Sequence, residues 1–343
     1  MNGMQQQSLP YLAYRAAILL VLVGVLLGVV MWVFGCNVIP EGCTVWRAVF
    51  GEPQVLIVYG DDGLGDPQLL QSVLGDRGRI GVRARTAHID TVTLGNLKKY
   101  QLVIVEHART MSTEKMKMLV DYAIGGGRLV WTGDAGAELA SGDRMLYQYE
   151  RAGLDICEDI DQEKLWRDKQ LKIDDINCMW RAQVKELSPW ARHYRDGDRN
   201  LSINLDTMLN LRYIGNYCQF KDCKSGAPQI GRLDIGQENE HPLIYGLNPN
   251  LIMYGDFAIV DEEGGSSTRV LSVDYGGNLI SKNKMDLGRN FPVIVTAGTG
   301  ERWAYYALPP EQFVRPNEPG EECTEHCYYS LVENMYYGML RIS

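Results

Sequence analysis

From residue 54 onward the chain alternates short, wholly apolar runs with segments in which apolar positions recur every three or four residues, which is how buried strands and amphipathic helices take turns. Gln54–Tyr59 (QVLIVY) reads as a first strand, ended by the turn Gly60-Asp-Asp-Gly-Leu-Gly-Asp66. Asp66 followed by Pro67 is a helix start, with Asp as the cap and Pro at the first helical position, so a helix is expected over 67–75, stopped by Gly75 and Gly78. A second strand fits Ile80–Ala87, a short helix Leu94–Tyr100, and a third strand Gln101–Glu106. Ser112 is placed to cap a helix over Thr113–Ile124, whose Met116, Leu119, Val120 and Ala123 form one apolar stripe, and Gly125–Gly127 supply the left-handed residue that ends it. Arg128–Thr132 is a fourth strand, leading into the turn Gly133–Gly136. Strands that are apolar throughout and alternate with helices imply an α/β fold, a parallel sheet flanked by helices on both faces.

Residues 150–235 break this rhythm and are expected to be an insertion, with strand-like pieces at Leu201–Leu205 and Leu209–Cys218. Beyond His241 the pattern is β-rich, with runs at Phe257–Val260, Arg269–Val273, Pro292–Ala297 and Arg302–Ala307, and Ser330–Leu340 closes as a helix. The other end differs in kind. Ala16–Phe34 carries no polar or charged side chain, and nineteen residues at helical rise reach roughly 28 Å, close to the hydrocarbon thickness of a bilayer. Tyr11, Tyr14 and Trp32 stand near its ends, where aromatic rings favour the interface. The run is too long for a cleaved signal, and Phe34 departs from a lipidation signature at Cys36. The expected organisation is an N-terminal transmembrane anchor (1–35), a stalk (36–54) and one α/β domain (55–343). The anchor meets membrane lipid through residues 16–34, and Gly24 and Gly28, spaced as G-x-x-x-G, would let two such helices approach in a homo-oligomer.

Composition narrows the class of partner. A net charge of −9 argues against nucleic acid, which needs a clustered basic face. All eight cysteines (Cys36, Cys43, Cys157, Cys178, Cys218, Cys223, Cys323 and Cys327) lie beyond the apolar run, and an even set of this kind reads as disulfides in a translocated domain. Cys36/Cys43 and Cys218/Cys223 are candidate local pairs; a zinc site around Cys323, His326 and Cys327 is the less favoured alternative, because a second close-spaced ligand pair is lacking. Asn200-Leu201-Ser202 is a glycosylation acceptor pattern, in keeping with an outside location. The expected topology is a single-pass cell-membrane protein with its N-terminus cytoplasmic and its domain extracytoplasmic.

Three segments together resemble the class I glutamine-amidotransferase-like superfamily, above all its ThuA-like and membrane-associated branches. They are the strand–helix–glycine–strand block Tyr100–Gly136, the segment His241-Pro-Leu-Ile-Tyr-Gly-Leu247, and the close Gly298–Ala307, Pro309-Pro310 and Leu331-Val-Glu-Asn334. The resemblance spans 55–150 and 240–340 and implies a flavodoxin-like sheet with a β-rich C-terminal part. Active members carry their nucleophile as G-x-C-x-G; the matching turn here is Thr132-Gly-Asp-Ala-Gly136, with Asp134 in place of the thiol, and no His-x-Glu pair occurs in the chain. The resemblance therefore implies a domain without the amidotransferase catalytic residues, and no catalytic residue, metal or cofactor is expected.

Ligands of such sheets bind at the C-terminal strand edge. Asp61, Asp62, His107 and Asp134 would meet there and are the candidate ligand-binding residues. The functional expectation is a membrane-anchored, non-catalytic binding or scaffold domain that partners other membrane or envelope proteins. The alternatives are a ThuA-like hydrolase or sugar-processing enzyme using the acidic residues of this edge, and an auxiliary subunit of a membrane transporter.

Overall fold

The computed structural model of the protein describes residues 15, 17–19, 21–24, 54–141, 145–146, 189–196, 199–220, 223, 231–235, 241–247, 252–253, 255–262, 265–280, 286–314 and 328–341. The chain divides into two units, Met1–Glu52 and Pro53–Ser343. In the first, the described residues between 15 and 24 are helical, and Ile18, Leu19, Val21, Leu22 and Val23 are exposed. Among the described residues no helix is long and apolar enough to cross a membrane. Most of the expected 16–34 span, Gly28 included, lies outside the described residues. Gly24 is helical, with open space where a side chain would project.

The second unit is built on β1 (Val55–Tyr59), β2 (Ala84–His88), β3 (Leu102–Val105), β4 (Thr110–Met111), β5 (Arg128–Thr132), β6 (Glu138–Leu139), β7 (Met145–Leu146), β8 (Ala191–Asp196), β9 (Arg199–Asn204), β10 (Leu211–Asn216), β11 (Gly231–Ile235), β12 (Ile252–Met253), β13 (Ala258–Glu262), β14 (Thr268–Ile280), β15 (Asp286–Ala297) and β16 (Trp303–Tyr306). Among the described residues nine of these strands form one sheet in the order β12-β11-β14-β15-β16-β5-β3-β1-β2. From β2 to β16 neighbours run parallel, the order of a flavodoxin-type doubly wound sheet. From β16 outward they run antiparallel. The expected parallel sheet is thus a mixed one, because the β-rich C-terminal part extends it edge to edge.

Burial explains which strands are central. All four residues of β3 and the first four of β1 are buried, as strands covered on both faces must be. β2 (ARTAH) is paired on one side only and is only partly buried, as suits an edge. It starts at Ala84 rather than at residue 80, because the preceding chain turns through Gly81 (φ 69°), whose amide bonds Asp76 O at 2.8 Å.

Helix α1 (Pro67–Gly75) begins as its sequence requires: Asp66 accepts from Leu69 N at 3.0 Å, and Pro67, Leu70, Val73 and Leu74 are buried. Removing a side chain such as Leu70 would leave a cavity costing about 2–5 kcal/mol. The next helix, α2, is shorter than expected (Leu94–Leu97). In α3 (Thr113–Ile124) Ser112 caps Lys115 N, and the stripe Met116, Leu119, Val120 and Ala123 is buried. Gly126 (φ 95°) supplies the left-handed residue after it.

The described part of 189–235 shares the core of the sheet. Trp190, Leu205, Leu209 and Leu211 are buried in it, with α4 (Leu205–Leu209) and α5 (Tyr217–Phe220) flanking β10. β10 pairs with β13, and β11 lies in the main sheet, so these residues are woven into the domain. A disulfide joins Cys218 and Cys223, Cα atoms 5.4 Å apart. The other six cysteines and His326 lie outside the described residues. Asn200 sits in β9. Helix α6 (Tyr329–Arg341) closes the domain, burying Leu331, Val332, Met335, Tyr336 and Met339.

Candidate functional site

The loops that follow β1, β3, β5 and β16 all leave the same edge of the sheet, because those strands run parallel. Asp134, after β5, ties the loops after β1 and β3 to the end of β10. Its carboxylate is 0% exposed and accepts three hydrogen bonds. Oδ1 takes Leu64 N at 2.8 Å; Oδ2 takes Arg109 Nε at 2.5 Å and Asn216 Nδ2 at 2.8 Å. The donors come from the β1 loop, the β3 loop and the end of β10. Asn216 is itself oriented by Tyr213, whose hydroxyl donates to its Oδ1 at 2.8 Å. Burial, then the nearby Asp134 charge, raises the Tyr213 pKa and keeps that hydroxyl a donor. For Arg109, burial favours the neutral form, but the hydrogen bond and charge of Asp134 outweigh it and the pKa is raised.

A nucleophile needs an exposed atom at a strained turn. The left-handed residues of this turn are Gly133 (φ 54°) and Gly136 (φ 68°), which have no side chain, and Asp134 between them is buried. The chain then enters β6, paired with β4, so no helix N-terminus lies behind Asp134 within the described residues 133–141. Gly136 (φ 68°) lets the backbone pass under Met116 and Trp131; a Cβ there would sit 2.4 Å from Met116. Trp190 Nε1 and Trp131 Nε1 both donate to Ala135 O, and buried Arg192 donates to the carbonyls of Met111 and Gly136.

Asp62 is half-buried and bonded within the protein: its carboxylate accepts Thr110 N at 3.0 Å and Thr110 Oγ1 at 3.1 Å, while its carbonyl accepts Arg109 N. Gly63 (φ 125°) stands where a Cβ would be 2.9 Å from Arg109 N, so the two loops are in backbone contact. His107 is left-handed (φ 48°), its amide bonded to Leu64 O and its carbonyl to Gly60 N, and its buried Nδ1 has no partner among the described residues. The β1/β3 crevice, where the sheet order reverses, is thus filled by the protein's own 60–66 loop. Asp61 stands apart, 93% exposed, with His88 Nε2 at 3.2 Å from its Oδ1. Of the four candidates, Asp62, His107 and Asp134 come together and Asp61 faces solvent.

Pattern reading passed over a second cluster on the same edge. Glu106, directly after β3, and Glu311, after β16, are both 0% exposed and meet carboxyl to carboxyl. Glu311 Oε1 accepts Asp66 N at 2.9 Å and Gln312 Nε2 at 2.9 Å. Among the described residues, Glu311 Oε2 and both oxygens of Glu106 meet no N–H or hydroxyl donor. Burial, then the facing Glu311, pushes the Glu106 carboxyl well above the ordinary range; burial raises Glu311 too. The available signal was an acid placed directly against an apolar strand, LVIV-Glu106, and another straight after Pro309-Pro310.

On the opposite edge, His241 is buried and holds Glu301 Oε2 at 2.9 Å, while its Nδ1 accepts Leu243 N at 3.2 Å. Nε2 must then carry the proton. Glu301 (φ 50°) also accepts Thr268 Oγ1 at 3.0 Å, so His241-Pro242 is clamped to the start of β16. Among the described residues no group of three or more His, Cys, Asp or Glu side chains is arranged to hold a metal ion.

No family model matches the chain, and no curated protein matches it in sequence. Solved structures similar to it include a ThuA-like protein from Bacteroides uniformis, 14% identical with a TM-score of 0.48, covering 84% of this chain and 91% of that one. A β-galactosidase from Rahnella sp. R3 is 13% identical with a TM-score of 0.43; the match covers 86% of this chain and 33% of the enzyme. The N-terminal domain of mmIFT52 is 10% identical with a TM-score of 0.42, over 84% of this chain and 98% of that one.

Proposed function

We propose that this chain is a membrane-anchored, extracytoplasmic domain of the class I glutamine-amidotransferase-like kind that acts by binding, as a scaffold within a membrane or envelope complex, and not by catalysis. The observation that carries the reading is the state of Asp134. A carboxylate that is fully buried and already holds three donors of its own protein has no surface at which a substrate could reach it. Asp62, half-buried, is turned toward Thr110, whose amide and hydroxyl it accepts. What remains for a partner is surface. The exposed side chains of Ile18, Leu19, Val21, Leu22 and Val23 support an anchor in lipid, since exposed residues of this kind are costly in water. The Cys218–Cys223 disulfide favours an oxidising compartment, hence the outside face.

The test is purification of the full chain from membranes in mild detergent. Partners are identified by cross-linking, and the same preparation is assayed on glycoside and amide panels. Stoichiometric membrane or envelope proteins without turnover are expected. Turnover that survives purification, with no partner, would favour a hydrolase instead.

A further inference from the structure

We propose that Glu106 and Glu311 hold a single proton between them, and that this proton clasps the 60–66 loop onto the sheet edge. Each oxygen has an evident role except three. Glu311 Oε1 is satisfied by the Asp66 amide and the Gln312 side chain, whereas Glu311 Oε2 and both Glu106 oxygens face no donor among the described residues. Two ionised carboxylates in contact, both fully out of water, would repel. One proton turns the contact into a hydrogen bond and satisfies the facing oxygens. The charged group that acts on Glu106 besides Glu311 is Asp66, also an acid, so nothing on that side favours full ionisation.

The proton is mechanically placed. Glu106 is fixed by β3, while Glu311 rides on the turn Pro310–Val314 and grips the amide of Asp66, the residue that caps α1. Gly65 (φ 115°) packs there, with a Cβ position 3.4 Å from Glu106 Oε2. Removing the proton drives Glu106 and Glu311 apart, and the segments free to yield are the 60–66 loop and the turn after β16. As control of a binding surface this rests on the reading of the domain as a binding module; as a proton clasp it does not.

The experiment is hydrogen exchange of the full chain in mild detergent, from mildly acidic to alkaline pH, corrected for the intrinsic exchange rate. Opening of residues 63–66 is expected to rise about tenfold per pH unit wherever opening releases the proton. In Glu106→Gln the new amide donates permanently to Glu311, so opening becomes independent of pH while β1 and β3 stay protected. A wild type whose 63–66 opening ignores pH, or a Glu106→Gln that keeps the tenfold slope, would overturn the clasp. Should that variant not fold, Glu311→Gln tests the same point, since its oxygen still accepts the Asp66 amide. Carbon-labelled glutamate NMR of the wild type then gives a second reading. A glutamate carboxyl titrating well above the ordinary range supports the clasp, and all glutamates titrating normally refutes it. Partner capture is unaffected by either result, so the two readings fail separately.

Discussion

Replacing Asp134 with alanine removes one carboxylate and strands three donors at once. Leu64 N–H and Asn216 Nδ2 lose their acceptor inside the protein, where each unsatisfied group costs about 1–3 kcal/mol. Arg109 loses its ion partner; breaking a buried pair from one side costs about 3–5 kcal/mol when the survivor is fully enclosed. Arg109 is 29% exposed, so water recovers part of that, and the terms share one void and do not add in full. The net expectation is a loss of about 3–5 kcal/mol, a large share of the stability of an ordinary domain. Asp134→Asn keeps the shape and one acceptor oxygen, and should lose about 1.5–3 kcal/mol, the worth of hydrogen bonds to a charged group. Chemical denaturation of the detergent-solubilised chain measures both, by a midpoint shift at constant slope. Loss of less than about 0.5 kcal/mol in Asp134→Ala, the level of an ordinary surface substitution, would refute the reasoning.

Wild type and Glu106→Gln should diverge with pH: Glu106 is raised above its ordinary value of 4.5, so its folded form binds more protons than its unfolded form, and its contribution is full below 4.5 and lost as pH climbs through the raised value. The variant should therefore gain melting temperature relative to wild type from mildly acidic to neutral pH; parallel curves would contradict it. Gly136→Ala must place a Cβ at φ 68° and 2.4 Å from Met116, for a loss of about 2–4 kcal/mol in denaturant, combining the left-handed penalty with overpacking. Breaking the Cys218–Cys223 bridge by paired Ser substitution closes no loop in the unfolded chain and should cost about 2 kcal/mol, read from the unfolding midpoint. Truncation of residues 16–34 should release the domain from membranes that retain the full chain at alkaline pH.

The sheet was legible because its central strands are apolar on both faces: VLIVY, LVIV and RLVWT need no context to be read as buried strands. Helix α3 was legible from its stripe and its Ser112 cap. Direction was not. β14 and β15 have strand-like sequences, but whether they pair parallel or antiparallel depends on connections, and apolar runs carry no such information. At the candidate site, the Asp and Gly that gather in the loops after β1 and β5 pointed to the edge where Asp62, His107 and Asp134 stand. The sequence could not show that Asp134 faces inward, because its donors Leu64, Arg109 and Asn216 lie 70, 25 and 82 residues away. The acid pair was hidden for the same reason: Glu106 and Glu311 lie far apart in the chain, and an acid after a strand is an ordinary loop residue until its partner is known.

The central claim, that the acidic residues of this edge hold the fold together and do no chemistry, is tested most directly by assaying purified wild type and folded Asp134→Asn side by side on glycoside and amide panels while quantifying co-purified partners. The account predicts no turnover by either protein and the same partners with both. Turnover by the wild type that Asp134→Asn abolishes, with its fold intact by circular dichroism, would contradict it.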